Sequence, residues 1–143
     1  MSSAESNYAT LLKRGNGATP ETFTTVAEMV SIDPPEIGHI LAQATNHDSA
    51  GFREYKGTGL KELPAFTATI NYLPTNVTQT QLYSDALAGD AHNFQICFPD
   101  AGTTTFAGAA IVQKFKPMGA DAQNPGVLTA QVTFQPTGAW TIA

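Results

Sequence analysis

Apolar and polar residues alternate along several segments of the chain, and this alternation predicts β-strands. Apolar and polar positions take turns over residues 66–72, 92–98 and 129–135. A period of two is typical of strands with one buried face. The polar positions of the first and last of these strands are Thr67, Thr69 and Asn71, and Thr129, Gln131, Thr133 and Gln135.

Further strands are predicted from apolar, β-branched runs that end at turn residues. Residues 23–32 form such a run, which stops before Pro34-Pro35, because proline cannot donate a hydrogen bond to a sheet. Residues 103–115 predict a long strand, and 139–143 predict a short last one. The segment 37–45 fits a short helix or a strand, and the reversal at the prolines favours the strand.

One helix is predicted between Asn76 and Gly89. Asn76, with Gln79 three residues later, resembles a capping box, and Gly89 is a typical C-terminal stop. Its sheet-facing side is predicted to consist of Leu82, Tyr83, Ala86 and Leu87. Six or seven strands and one helix predict a mainly β fold: two packed antiparallel sheets, a sandwich or barrel, flanked by the helix. Residues 1–143 are expected to form a single domain.

Two segments lack this regular pattern. Residues 1–21 are polar and predict an extended N-terminal arm, and residues 46–62 predict a long internal loop. Loops longer than about 12 to 15 residues are usually functional or disordered. Phe52 and Tyr55 argue against disorder, because aromatic side chains need a surface to bury against. In a small domain that surface can belong to another subunit.

The composition shows where charge is missing. Charged residues make up 13% of the 143 residues, against about 25% in typical domains. Threonine occupies nineteen positions, and no Lys or Arg lies between Glu62 and Lys114. Uncharged polar faces can be buried against other subunits without the cost of desolvating ions. Composition alone, however, fits a monomer of low charge equally well.

Charge and hydropathy exclude several classes. Seven basic residues are thinly spread in a chain of net charge −5, which disfavours tight binding of phosphates. No apolar run approaches the roughly 18 to 20 residues of a membrane-spanning helix, so no membrane insertion is expected. The N-terminus does not resemble a secretory signal. Cys97 is the only cysteine, so no internal disulfide forms, and either a reducing compartment or indifference to redox state is expected.

No catalytic or metal-binding motif is found. His39, His47 and His92 are isolated, without the spacing of metal ligands. The consecutive residues His47-Asp48-Ser49 cannot form a catalytic triad, because triad residues converge from separate parts of a fold. We therefore expect no enzymatic activity, no metal and no cofactor.

The order of these features resembles that of a known family. A strand FTTVAEMVSI and a Pro-Pro turn precede the loop, the strand AFTATINY, a capped helix and the strand HNFQICFP. The most specific part is HDSAGFRE at 47–54, followed by GLKE at 59–62. Over residues 5 to 136 the chain resembles the tail tube (major tail) proteins of long-tailed, non-contractile bacteriophages.

The resemblance implies a structural virion protein. Six copies would form a ring, and rings would stack into the hollow tail tube through which DNA is ejected, without specific binding of DNA. Tape-measure, tail terminator and distal tail proteins are the implied partners. The protein would be made in the bacterial cytoplasm and reside in the virion tail. The immunoglobulin-like domain that some relatives append after the tube domain is expected to be absent.

Two sets of residues are expected to serve this assembly, one at the contacts between subunits and one lining the lumen. Intersubunit contacts are expected from the loop residues Asp48, Phe52, Arg53, Glu54, Tyr55 and Lys56. The lumen is expected to be neutral or acidic, lined by either the polar positions of 67–71 or those of 129–135. A lumen lined by Lys and Arg would contradict this expectation. The alternatives are a tube protein of a contractile tail or secretion system, a monomeric β-sandwich binding module and, last, an enzyme.

Overall fold

The computed structural model describes residues 4, 6–118, 122–123 and 126–143, in which nine strands and one helix are found. In chain order they are β1 (Leu11–Gly15), β2 (Phe23–Thr25), β3 (Met29–Asp33), β4 (Gly38–Gln43), β5 (Tyr55–Glu62), β6 (Phe66–Asn71), α1 (Val77–Ala88), β7 (Ala91–Cys97), β8 (Thr105–Pro117) and β9 (Thr129–Ile142).

Seven strands form one curled antiparallel sheet in the order β2-β1-β7-β8-β9-β6-β3. Its two edge strands, β2 and β3, are consecutive in the chain and are joined by residues 26–28 alone. Because so short a link holds both edges close together, the sheet must curl around its own core. Leu12, Ile70, Phe94 and Phe134 are fully buried in that core.

The alternation predicted for residues 66–72 and 129–135 is confirmed. On β6, Phe66, Ala68 and Ile70 are buried, and the residues between them are partly exposed. Phe66 lies directly opposite Phe134 of β9, and their rings stack with centroids 5.0 Å apart. Burial of alternate residues on both strands therefore fixes which face of this sheet points inward.

The helix begins and ends where its caps predict. The Asn76 side chain accepts hydrogen bonds from the backbone N–H groups of Thr78 (3.0 Å) and Gln79 (3.3 Å), and Gly89 is left-handed with φ 72°. The second bond of a capping box, from the backbone N–H of Asn76 to the side chain of Gln79, does not form, because this N–H donates to Leu73 O. Instead Gln79 is buried, accepts from Leu73 N at 2.8 Å and donates to two carbonyl oxygens, those of Ala27 and Asn71.

The predicted inner face of the helix is wrong in part. Leu82 is buried and Ala86 packs at the edge of the core, but Tyr83 and Leu87 are exposed. The helix buries Gln79 and Asp85 together with Leu82. Polar residues take these inner positions because the sheet and the connections beside it offer them hydrogen-bonding and ionic partners.

Three predicted boundaries are corrected by strand pairing. Residues 11–15 of the predicted arm are β1, paired with β2 on one side and β7 on the other. The run 23–32 is two strands, because the chain turns at 26–28 to reach the opposite edge of the sheet. Residues 139–142 are the end of β9 rather than a separate strand, and a register shift accommodates Gly138 at φ 79°.

The predicted long loop is also shorter than expected. Its second half is β5, which pairs with β4, so the irregular connection spans only residues 44–54. The hairpin β4–β5 forms the second sheet, and none of its residues is buried. The fold class is confirmed as mainly β with two antiparallel sheets and one helix. The sheets are unequal, since the larger one contains the core and the smaller one projects.

Candidate functional site: a polar sheet face and a projecting hairpin

The two polar strands that were alternatives in the sequence form one surface. β6 and β9 are adjacent and antiparallel, and their polar residues lie opposite one another. The cross-strand pairs are Thr67 with Thr133, Thr69 with Gln131, and Asn71 with Thr129. Gln135 follows on the same face of β9, where its side chain donates to the carbonyl oxygens of Leu63 (3.2 Å) and Pro136 (3.1 Å). All seven candidate lumen residues therefore share the face that points away from the core.

This polar face continues onto the strands on either side. On β3, Asp33 lies opposite Thr67. On β8, Lys114 lies opposite Thr133, and Lys116 lies opposite Gln131. The face is neutral at its centre, acidic at its β3 border and basic at its β8 border. Sequence reasoning missed the two lysines because a register shift in β8 between Val112 and Lys114 decides which face they occupy.

The predicted intersubunit residues all lie at the tip of the projecting hairpin. Phe52 is 79% exposed and Tyr55 is 56% exposed. Asp48, Arg53, Glu54 and Lys56 are also exposed, and within the described part of the chain none of them forms an ion pair. Exposed apolar and charged side chains at one protruding tip are typical of a surface that binds a partner.

The connection at this tip is ordered by its own hydrogen bonds. Thr45 Oγ1 accepts from Glu54 N at 2.9 Å, and Ala44 N donates to Glu54 O at 2.8 Å. Asn46 Oδ1 accepts from Asp48 N at 2.8 Å. These local bonds hold the tip in shape without contact with the core.

A buried ion-pair cluster joins the helix to the sheet. Arg14 of β1 binds Asp85 of α1 with two nitrogens, Nε at 2.5 Å and Nη2 at 2.8 Å from the carboxylate oxygens. His92 Nε2 of β7 lies 3.3 Å from Asp85 Oδ1. The side chains of Arg14 and Asp85 are only 15% and 4% exposed. A bidentate pair in this position anchors α1 on the sheet.

Sequence reasoning missed this cluster because Arg14 lies 71 residues before Asp85 and 78 residues before His92 in the chain. A weak signal was available in the helix. Asp85 lies three residues after Leu82, which places it on the inner side of α1 and demands a charged partner there.

The pKa of the Asp100 carboxyl group is lowered by local hydrogen bonds. Asp100, in the turn between β7 and β8, accepts hydrogen bonds from the hydroxyl (2.6 Å) and the backbone N–H (2.7 Å) of Thr104. These bonds lower the pKa of Asp100, with the hydroxyl contributing most. They stabilise the turn and lie outside both candidate surfaces.

Two further kinds of feature are absent from the described residues, a metal-binding cluster and a membrane-spanning helix. Among them, no three His, Cys, Asp or Glu side chains are arranged to hold a metal ion. In the same residues, no helix is long and apolar enough to span a membrane.

Comparison with known proteins decides the family. Residues 8–143 match the family described as "Lambda phage tail tube protein, TTP". The chain belongs to this tail tube protein family. The tail tube resemblance noted in the sequence is thereby confirmed, and the family is one of structural virion tail proteins. No curated protein matches the chain.

Solved structures share the fold of this tail tube protein at low sequence identity. A chain from the tail of an empty gene transfer agent (GTA) particle, a helical reconstruction with C6 symmetry, is 17% identical with a TM-score of 0.77, covering 98% of this chain and 99% of that one. A chain from the six-fold symmetrised baseplate of the anti-feeding prophage is 11% identical with a TM-score of 0.78, covering 100% and 97%.

A third structure comes from a contractile assembly. A chain of the PVC sheath/tube terminator of an extracellular contractile injection system is 13% identical with a TM-score of 0.74, covering 100% of this chain and 99% of that one. At such identities the likeness shows the fold alone. Contractile and other particles thus contain the same fold as this tail tube protein.

Proposed function

We propose that this protein is the ring-forming subunit of a phage tail tube. Six copies close into a ring, and rings stack into a hollow tube that conducts DNA during ejection. Family membership and the six-fold symmetry of the GTA tail support this assembly. The observation that carries the proposal is the division of the chain into one polar sheet face and one projecting apolar tip.

The polar face of β6 and β9 suits the lumen of the tube. Its centre carries only Thr, Asn and Gln side chains over six paired positions. DNA must pass through the tube without being held, and each phosphate bound by a cation would add affinity and slow its passage. A neutral hydrogen-bonding wall meets this requirement, with the sheets of neighbouring copies forming a continuous lining.

The hairpin tip suits contact between copies in the stack. A ring needs one interface that closes, and stacking needs a second interface that does not close and so grows a filament. Phe52 and Tyr55 are the exposed aromatic anchors for this second interface. Arg53, Glu54 and Lys56 surround them and supply intersubunit ion pairs.

The tube implies further partners and a location. A tape-measure protein fills the lumen before ejection, and terminator and distal tail proteins cap the two ends. The subunit is synthesised in the bacterial cytoplasm and ends in the virion tail. Its proposed role is structural, and forming and lining the tube involves no enzymatic reaction.

A contractile machine is the second candidate, because solved structures of the same fold include contractile injection systems. The two are distinguished by the sheath. Tails isolated from producing cells are expected to carry a bare tube, and a second protein layer around the tube would favour the contractile assignment.

Negative-stain imaging and sedimentation of the purified full chain test the proposal directly. We expect six-fold rings and hollow tubes that sediment far faster than a 15.1 kDa chain. A protein that stays monomeric at all concentrations would overturn the proposal and favour a β-sandwich binding module.

A further inference from the structure

The loop between β1 and β2, residues 16–22, contains a chemically reactive pair that the proposed tube does not use. It begins with Asn16-Gly17, and Asn16 is the only asparagine in the sequence that is followed by glycine. Every other asparagine precedes Tyr, His, Val, Phe or Pro. Asn16 and Gly17 are both exposed, and Gly17 has a left-handed φ of 75°. Water therefore reaches this pair directly.

An Asn-Gly pair can lose ammonia without an enzyme. The backbone nitrogen of Gly17, after giving its proton to water or hydroxide, attacks Cγ of Asn16. The new C–N bond closes a five-membered succinimide ring, and the side-chain amide nitrogen takes up a proton from water and leaves as ammonia. A water molecule then opens the ring at either carbonyl, which gives aspartate or isoaspartate. Glycine favours the attack because it has no Cβ to shield its nitrogen.

Hydrogen bonds within the loop hold the Asn16 side chain in place. Its Oδ1 accepts from Ala18 N at 3.0 Å and from Thr22 N at 3.1 Å. The backbone N–H of Asn16 donates to Thr22 O at 3.1 Å and closes the loop. Because Oδ1 is held at two points, Cγ cannot turn freely toward Gly17 N. Ring closure therefore depends on local opening of the loop.

Glu21 holds the nitrogen that would attack. Its Oε1 accepts a hydrogen bond from Gly17 N at 3.4 Å. Both carboxylate oxygens also accept from Asn93 Nδ2 of β7, at 3.3 and 2.8 Å. Gly17 must lose the proton that it donates here before it can attack. A neighbouring carboxylate disfavours a second negative charge, so Glu21 opposes formation of the amide anion and also ties the loop to the sheet.

The position of Glu21 depends on Gly15, the last residue of β1. A Cβ at Gly15 would overlap with the Glu21 carboxylate, so glycine is what allows the carboxylate to lie so close to the strand. Gly15 is buried and is paired with Phe23 of β2. The carboxylate of Glu21 is thus seated between β1, the loop and Asn93.

We propose that Asn16-Gly17 is a modification site at which this chain deamidates spontaneously, and that Glu21 keeps the reaction slow in the folded protein. The products are aspartate and isoaspartate at position 16. The inference stands on the loop alone and does not depend on ring or tube formation.

The two products are expected to affect the fold differently. Aspartate retains an oxygen acceptor for Ala18 N and Thr22 N, although it adds a negative charge beside Glu21. Isoaspartate routes the main chain through the former side chain and lengthens it by one methylene group. This disturbs the bond from Asn16 N to Thr22 O. Arg14 Nη1 donates to Gly15 O at 3.3 Å, so the damage lies next to the ion pair that anchors α1.

Incubation of the purified full chain in mildly alkaline buffer tests the site. Peptide mass mapping locates the deamidated residue, and labelling by an isoaspartate methyltransferase identifies isoaspartate. The variants are Glu21→Ala and Asn93→Ala, which remove the carboxylate and its partner on β7. Glu36→Ala is the matched control, because Glu36 is exposed and forms no ion pair among the described residues. Circular dichroism confirms that each variant is folded.

Deamidation of the unsubstituted chain is expected at Asn16 before any other asparagine. Glu21→Ala is expected to deamidate at Asn16 about tenfold faster, since a hydrogen bond to a charged group is typically worth that factor. Asn93→Ala is expected to show a smaller increase, and Glu36→Ala none. In guanidinium chloride the unsubstituted chain and Glu21→Ala are expected to react at one common, faster rate, because the loop is then absent from both.

The same measurements can overturn the inference. Deamidation mainly at another asparagine, or none at Asn16 even in guanidinium chloride, would show that the pair is not a modification site. Equal rates for folded Glu21→Ala and the unsubstituted chain would show that Glu21 does not restrain the reaction. A slower reaction in folded Glu21→Ala would show that the carboxylate promotes loss of the Gly17 proton, and the proposed role of Glu21 would be wrong.

Discussion

The curled sheet and the projecting hairpin use apolar residues in opposite ways. In the sheet, Phe94 and Phe134 are fully buried, and their rings meet edge to face with centroids 5.0 Å apart. In the hairpin, Leu41, Phe52 and Leu60 are each more than half exposed. An isolated two-stranded hairpin is marginally stable in water, so apolar residues placed there contribute little to folding. Their value lies in contacts that a single chain does not make.

This contrast separates residues that fold the monomer from residues that assemble it. Substitutions in the sheet are expected to change the free energy of unfolding, and substitutions at the hairpin tip are expected to change assembly. The following substitutions test this division in order of their expected effect on stability.

The largest loss of stability is expected for Phe134→Ala. Phe134 contacts both Phe66 and Phe94 at the centre of the core. Removing a fully buried aromatic ring costs about 3–5 kcal/mol of unfolding free energy. Urea denaturation followed by circular dichroism measures the change. A loss below about 1 kcal/mol would show that the core lies elsewhere.

Arg14→Ala is expected to follow. It leaves the Asp85 carboxylate, 4% exposed, without its bidentate partner. Breaking a buried pair costs about 3–5 kcal/mol, and the partial exposure of Arg14 reduces this to roughly 2–3 kcal/mol. Lys13→Ala, on the neighbouring position of β1, is the matched control and is expected to unfold nearly as the unmodified chain does. Equal losses in both variants would contradict an anchoring role of the ion pair.

Asn76→Ala is expected to have an intermediate effect. It removes the side-chain acceptor for the N–H groups of Thr78 and Gln79 at the start of α1. Loss of an N-cap typically costs about 1 kcal/mol. Asn76→Asp retains the acceptor and is expected to keep the stability within about 0.5 kcal/mol, measured in the same urea titration. A matching loss in Asn76→Asp would point away from capping.

The smallest effect on stability is expected for Phe52→Ala at the hairpin tip. A side chain that is 79% exposed in the monomer contributes little to folding, so the unfolding free energy should change by less than about 0.5 kcal/mol. Tube formation, measured by pelleting and imaging, is expected to fall strongly. Normal tubes from this variant would remove Phe52 from the proposed stacking interface.

Val77→Ala is the control for Phe52→Ala, since Val77 is equally exposed but lies at the start of the helix. It is expected to leave assembly unchanged. If both substitutions reduced tube formation alike, general loss of exposed apolar surface would explain the result, and the hairpin would have no special role.

The parts of the fold that were predicted correctly are those set by residues close together in the chain. The helix ends at its predicted caps because Asn76 and Gly89 act on backbone groups within a few residues. Strands β6 and β9 were predicted because burial of every second residue requires apolar and polar residues to alternate in the sequence. β1 was missed because Leu12 is its only buried hydrophobic residue, and one such residue gives no periodic pattern.

The candidate surfaces were predicted less completely. The hairpin residues stood out by an aromatic and charged composition, although half of the predicted loop is β5. The polar residues of β6 and β9 were found as two alternatives, because nothing within either strand indicates that the other lies beside it. Lys114 and Lys116 were not assigned to this surface, since a register shift in β8 decides their side.

The sequence by itself determined the mainly β character, the helix and its caps, the inward faces of two strands and the resemblance to tail tube proteins. Only the tertiary structure decided that the polar positions form one face, that β1 completes the large sheet and that Arg14, Asp85 and His92 meet. Strand order and register depend on contacts between residues far apart in the chain, and short-range patterns do not record these contacts. The tertiary structure therefore decides where the few charges of this chain lie: the polar face is neutral at its centre, with an acidic border on β3 and a basic border on β8.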